Sequence, residues 1–183
     1  MNPTIRLKWK VNGAARGGAA VIARETERIR IMDKQAVIAK LNEIQRWEWT
    51  GVAQYMQYSF LVRGTWREVY SDKFKGSAEE SLGHAKRIGD KIVAMGGVPT
   101  LERAEVRQTI ELDEMLRNSL EFEQSAVNLY TEALKLADQW GNRALVILLE
   151  DILLEEQDGV DDIAKLLGSV EGTTASKSST KAG

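Results

Sequence analysis

Glu79-Glu80-Ser81-Leu82-Gly83-His84 holds the only histidine of the chain, with Glu80 one helical turn ahead of it. Three other apolar helical stripes each enclose one glutamate: Glu48, Glu123 and Glu156. Carboxylates and an imidazole turned into a helical core are costly to bury unless something neutralises them, and a hard or borderline metal ion does so. The pattern predicts an all-α, metal-binding four-helix bundle.

Working outward, proline occurs only at Pro3 and Pro99, and long segments repeat apolar residues at helical spacing. The first runs from about Lys34 to Arg63 and places Val37, Leu41, Ile44, Glu48, Val52 and Tyr55 on one face. The second, about Trp66 to Met95, stops at Gly96-Gly97 with Pro99 beyond. A third, about Glu111 to Gln139, stacks Leu112, Leu116, Leu120, Glu123, Val127, Tyr130 and Leu134 before Gly141. Asn142 can cap a fourth, on which Leu145, Leu149, Ile152, Glu156, Ile163 and Leu167 align before Gly168. Helices of this kind are roughly 40 Å long, and matched length favours a bundle. Short links make hairpins of helices one and two and of three and four. The longer link from Gly96 to Ile110 can run along the bundle as one long crossover.

The domain layout expected is a basic N-terminal extension over 1–33, the bundle over 34–168 and a disordered tail over 169–183. Residues 1–32 carry seven Lys or Arg against two Glu, so within a net charge of −2 the remainder is at −7. Ile5-Arg6-Leu7-Lys8-Trp9-Lys10-Val11 alternates like a two-faced strand, so the arm is either a short strand docked on a neighbour or a mobile segment. DNA is a partner such an arm could reach, although the acidic body weighs against it. The tail is rich in Ser, Thr, Gly and Ala.

With no cysteine, disulfides, thiolate zinc sites and iron–sulfur clusters are excluded, so any metal is held by oxygen and imidazole. No stretch approaches the roughly 20 apolar residues of a membrane span, and no apolar secretory core opens the chain. The expectation is a cytoplasmic protein without membrane contact.

In a dinuclear carboxylate bundle two helices each supply a Glu, and the other two each supply a Glu and a His. Glu48 and Glu123 fill the first role, and Glu80 with His84 the second, at i,i+4 instead of i,i+3. Ser81 stands at the i,i+3 position, so Glu80 would reach the metal by a local bulge. On the fourth helix Glu156 is present, but Gly159 stands where a second His is expected, leaving either two metals or one. Tyr55 could hydrogen-bond a ligand or donate an electron. The remaining acidic groups, Glu79, Glu155 with Asp151, and Asp161-Asp162, read as solvated faces. The tryptophans at 47, 49, 66 and 140 read as packing or interface residues.

These residues resemble the ferritin-like superfamily, and bacterioferritin most closely. Leu41-Asn42-Glu43 through Glu48 to Gln54-Tyr55 is similar to its first helix. His84-Ala85-Lys86-Arg87 with Gly96-Gly97-Val98-Pro99 is similar to its second, Glu114 to Glu123 to its third, and Ile152 to Glu156 to its fourth. The resemblance implies iron bound by Glu48, Glu80, His84, Glu123 and Glu156, with Fe(II) oxidised by dioxygen or peroxide and stored or detoxified. It also implies a homo-oligomer, with dimers as units of a cage. Leu82 replaces the haem-binding methionine of many bacterioferritins, which argues against haem. No clear fifth helix follows Gly168, as in the smaller Dps-type cages. The alternative is a degenerate scaffold, or a Dps-like protein, that acts through assembly or DNA and partner binding by its basic arm, with weak or no ferroxidase activity.

Overall fold

The computed structural model describes the backbone of residues 14–178 and the side chains of residues 24–168 apart from Ile29. Four helices follow one another: α1 Ala14–Leu61, α2 Arg67–Ala94, α3 Leu112–Trp140 and α4 Arg143–Ser178. Each break has a local cause. Gly64, Gly96 and Gly141 sit at φ of 86°, 75° and 76°, a left-handed conformation that side chains disfavour and helices use to end. Asn142 caps α4 as expected, its Oδ1 accepting from the Leu145 N–H at 3.0 Å.

Helix α1 packs on α2 and α3, and α3 on α4. Lys40 meets Glu132 and Tyr58 meets Asn118, so α1 and α3 run antiparallel, while short turns make antiparallel hairpins of α1–α2 and α3–α4. The arrangement is up-down-down-up, and the link from Met95 to Glu111 must therefore run the length of the bundle. Polar side chains of α1 hold it. Asn42 bonds Val98 O and Thr100 N, Trp49 bonds Thr100 O, Thr50 bonds Ala104 N, and Gln54 bonds both Arg107 N and O. Backbone groups that no helix pairs are thereby satisfied.

The core falls into two apolar clusters. One contains Leu41, Ile44, Ile88, Ile92, Leu145 and Leu149, and the other Tyr55, Tyr58, Phe74, Met115, Leu116 and Ile163. Between them lies a polar layer to which every helix contributes: Glu48 and Gln45 from α1, Ser81 and His84 from α2, Ser119 and Glu123 from α3, and Glu156 from α4, all buried.

Two helix bounds differ from expectation. Helix α1 begins at Ala14, not near Lys34, because Ala14, Ala15, Ala19, Ala20 and Ala23 favour helix and no proline intervenes. Helix α4 continues past Gly168 and Gly172 to Ser178, each glycine costing only about 1 kcal/mol in a helix interior. The boundary at 33/34 thus falls inside a helix, and residues 169–178 are helical, not a disordered tail. Residues 5–11, read as either a docked strand or a mobile arm, and the tail at 179–183 lie outside the described residues.

Candidate metal centre

Helical registers bring the key side chains to one level: Glu48 is one turn beyond Ile44, and Glu156 one turn beyond Ile152. Glu48, His84 and Glu156 are 2%, 4% and 5% exposed. One ligand atom from each lies within 4.8 Å of the others. His84 Nδ1 stands 2.8 Å from Glu156 Oε1 and 3.7 Å from Glu48 Oε2, yet it makes no hydrogen bond. Both carboxylates attract the ring, but Glu48 is too far for a hydrogen bond and Glu156 makes only an ion pair with it.

The far side of the imidazole is fully engaged. His84 Nε2 is 2.6 Å from Glu155 Oε2, and Arg87 ion-pairs with Glu155 at 3.5 Å and also with Asp151. When Nε2–H donates to Glu155, Nδ1 is left with its lone pair, 2.8 Å from Glu156 and 3.7 Å from Glu48. Such a carboxylate–histidine pair fixes the tautomer of metal-bound imidazoles.

The carboxylates are held as well. Tyr130 Oη donates to Glu48 Oε1 at 2.7 Å, and Tyr55 Oη donates to Glu123 Oε1. Burial raises the pKa of Glu48, a shift that His84 and Tyr130 oppose. Burial, and then Glu156 nearby, raise Glu123 to about 8, and burial raises Glu156. Burial alone would lower His84, but Glu156 and Glu48 outweigh it and raise the ring to about 11. Burial first, then Glu123, lifts Tyr55 well above an ordinary phenol.

One imidazolium cannot balance three buried carboxylates, so without metal the layer is neutralised by protons at a cost in free energy. A divalent cation answers both the charge and the Nδ1 that makes no hydrogen bond. One nitrogen and carboxylate oxygens suit first-row ions such as Fe(II). The residues present therefore fit a metal.

The remaining sequence candidates sit differently. Glu80 is exposed and groups with His84 and Glu155 on the outer side of the ring. Helix α2 passes through this region without a bulge. Ser81 points at α1, where a Cβ on Gly51 would meet its Oγ at 2.5 Å. Glu123 lies beside Gly159, where a Cβ would be 3.3 Å from Glu123 Oε2. Sequence reasoning passed over Tyr130, whose hydroxyl only the α1–α3 packing brings to Glu48. It also placed Glu155 among solvated acids. A signal for Glu155 existed in the Arg87–Asp151–Glu155 charge pattern, but it needed the α2–α4 register to be read.

Among known proteins, residues 38–173 match the ferritin-like domain family. The nutrient stress-induced DNA-binding protein of Nostoc sp. is 27% identical over 126 residues, covering 62% of this chain and 67% of that protein. The bacterioferritin of Rhodobacter capsulatus is 27% identical over 132 residues, covering 68% and 78%. The fold superposes on a ferritin-like diiron-carboxylate protein from Bacillus anthracis with a TM-score of 0.72 and 27% identity, covering 74% of this chain and 97% of the other. Bacterioferritin from Desulfovibrio desulfuricans, at 21% identity, gives a TM-score of 0.71 with 78% and 84% covered, a likeness of fold. With a matched span that includes α2, α3, most of α4, the second half of α1 and the polar layer between them, the chain belongs to the ferritin-like domain family and stands close to bacterioferritin.

Proposed function

We propose that this chain binds Fe(II) in the bundle core and oxidises it with dioxygen or peroxide, storing or detoxifying the product within a homo-oligomer. The observation that bears most weight is the buried group Glu48, His84 and Glu156 around His84 Nδ1, a nitrogen that makes no hydrogen bond within the protein. Iron arriving as substrate gives up one electron to the oxidant, and anionic oxygens favour the ferric product. The chain's own part is to deliver the ligands. Glu155 orients the ring, Tyr130 fixes Glu48, and the two apolar clusters keep bulk water from the layer. Tyr55 holds Glu123 in place. Relatives named as bacterioferritin and as a diiron-carboxylate protein support the reading.

The test is anaerobic Fe(II) binding followed by aerobic oxidation. The wild type is expected to bind Fe(II) tightly and oxidise it faster than buffer, with both properties lost in His84→Ala and Glu156→Gln. Oxidation at the buffer rate by the wild type would sink the reading.

A second reading, assembly or DNA binding through the N-terminal segment, draws on the relatives named as DNA-binding proteins and on α1. This helix extends more than five turns ahead of Val37, its first buried residue among those described, and exposes Arg24, Arg28 and Arg30.

A further inference from the structure

The two halves of the carboxylate layer are not equivalent. On one side, Glu48, His84 and Glu156 converge within 4.8 Å around an Nδ1 that makes no hydrogen bond. On the other, Glu123 is absent from any such group among the described residues. Its Oε1 accepts the Tyr55 hydroxyl, and its Oε2 packs against the bare backbone of Gly159, in the volume that a side chain at 159 would fill. Ser81, one turn before His84, is turned to the close contact with Gly51 on α1.

We infer that the layer holds a single metal ion, bound by Glu48, His84 Nδ1 and Glu156, with Glu123 and Tyr55 forming a fixed wall where a second ion would otherwise sit. This rests on the metal-binding reading above and departs from the two-metal arrangement. Charge supports it. A divalent ion is neutralised by Glu48 and Glu156, whereas a second ion would add only Glu123 and a share of the neighbouring Glu156, with no imidazole to complete its ligands. The donor set of one nitrogen and two carboxylates suits Fe(II), Mn(II), Co(II) or Zn(II). Glu123, held by Tyr55, would stand beside such an ion as a hydrogen-bonding group without ligating it.

The test is an anaerobic Co(II) titration of the full chain, read by absorbance and by native mass spectrometry. One Co(II) per chain is expected in the wild type and in Glu123→Gln. At least tenfold weaker binding is expected in Glu156→Gln and His84→Gln. Two ions per chain in the wild type, falling to one in Glu123→Gln, would overturn the single-ion site while leaving metal binding intact. No retained Co(II) in the wild type would overturn both. If the His84 variant fails to fold, as circular dichroism would show, the wild-type and Glu123→Gln counts decide the matter.

Discussion

At His84 two opposed requirements meet, since the ring is buried among acids that favour its proton while a metal needs that proton gone. Its pKa is raised from 6.5 to about 11, and that of Glu123 from 4.5 to about 8. Between about pH 6.5 and 8 the unfolded chain has released protons that the folded, metal-free protein still holds. Metal-free stability therefore falls as pH rises through this window, and melting temperatures should be lower at pH 8 than at pH 6.5. Metal binding must expel at least the Nδ1 proton, so affinity should rise about tenfold per pH unit for each proton released. Calorimetric titration in buffers of different ionisation enthalpy reads that count; binding with no proton release contradicts it. The outer partner of the ring gives a second expectation. Glu155→Ala leaves Nε2 without its acceptor, and metal affinity should drop about 10- to 100-fold while the helical spectrum is unchanged. An affinity within twofold of wild type would show that Glu155 does not orient the ring.

Among the helices, the registers of Glu48, His84, Glu123 and Glu156 were legible because an apolar stripe at helical spacing fixes which residues face inward. The crossover was legible only as a length, since Gly96 to Ile110 shows that the chain can travel but not what holds it. The hold comes from Asn42, Trp49, Thr50 and Gln54, polar residues that look ordinary in sequence because their partners are backbone atoms about 50 residues away. Glu155 was illegible for a related reason: it lies about 100° round α4 from Glu156 and meets His84 only through the approach of α2 to α4. The start of α1 was hidden because Asn12-Gly13, between a basic, alternating segment and an alanine-rich one, reads as a turn as readily as a helix cap. Gln54 offers the test at this scale. It is 5% exposed and spans Arg107 N and O at 2.6 and 2.7 Å, so Gln54→Ala leaves two backbone groups short of partners. A loss of about 1–3 kcal/mol in global stability is expected, with earlier tryptic cleavage at Arg103 or Arg107. Unchanged cleavage would show that the other three side chains suffice.

Taken whole, the molecule combines an acidic bundle with a basic lead-in, and the two can be separated by deletion because their physics differs. Among the described residues the buried set starts at Val37, and both core clusters draw only on positions from 37 onward. Removing residues 1–32 therefore takes away helix but, among the described residues, no core. The melting temperature should move by no more than about 2 °C, since exposed segments contribute about 0.5 kcal/mol or less. Electrostatically the same cut is large. It removes seven basic and two acidic residues and leaves a body at −7, which repels phosphate. Under the second reading the full chain retains duplex DNA in a filter assay at low salt, with retention falling steeply as salt rises, and the shortened chain retains none. Retention by neither chain would remove that reading and leave the iron chemistry untouched. A melting temperature lowered by 10 °C would show instead that the extended part of α1 is a structural element of the assembled protein.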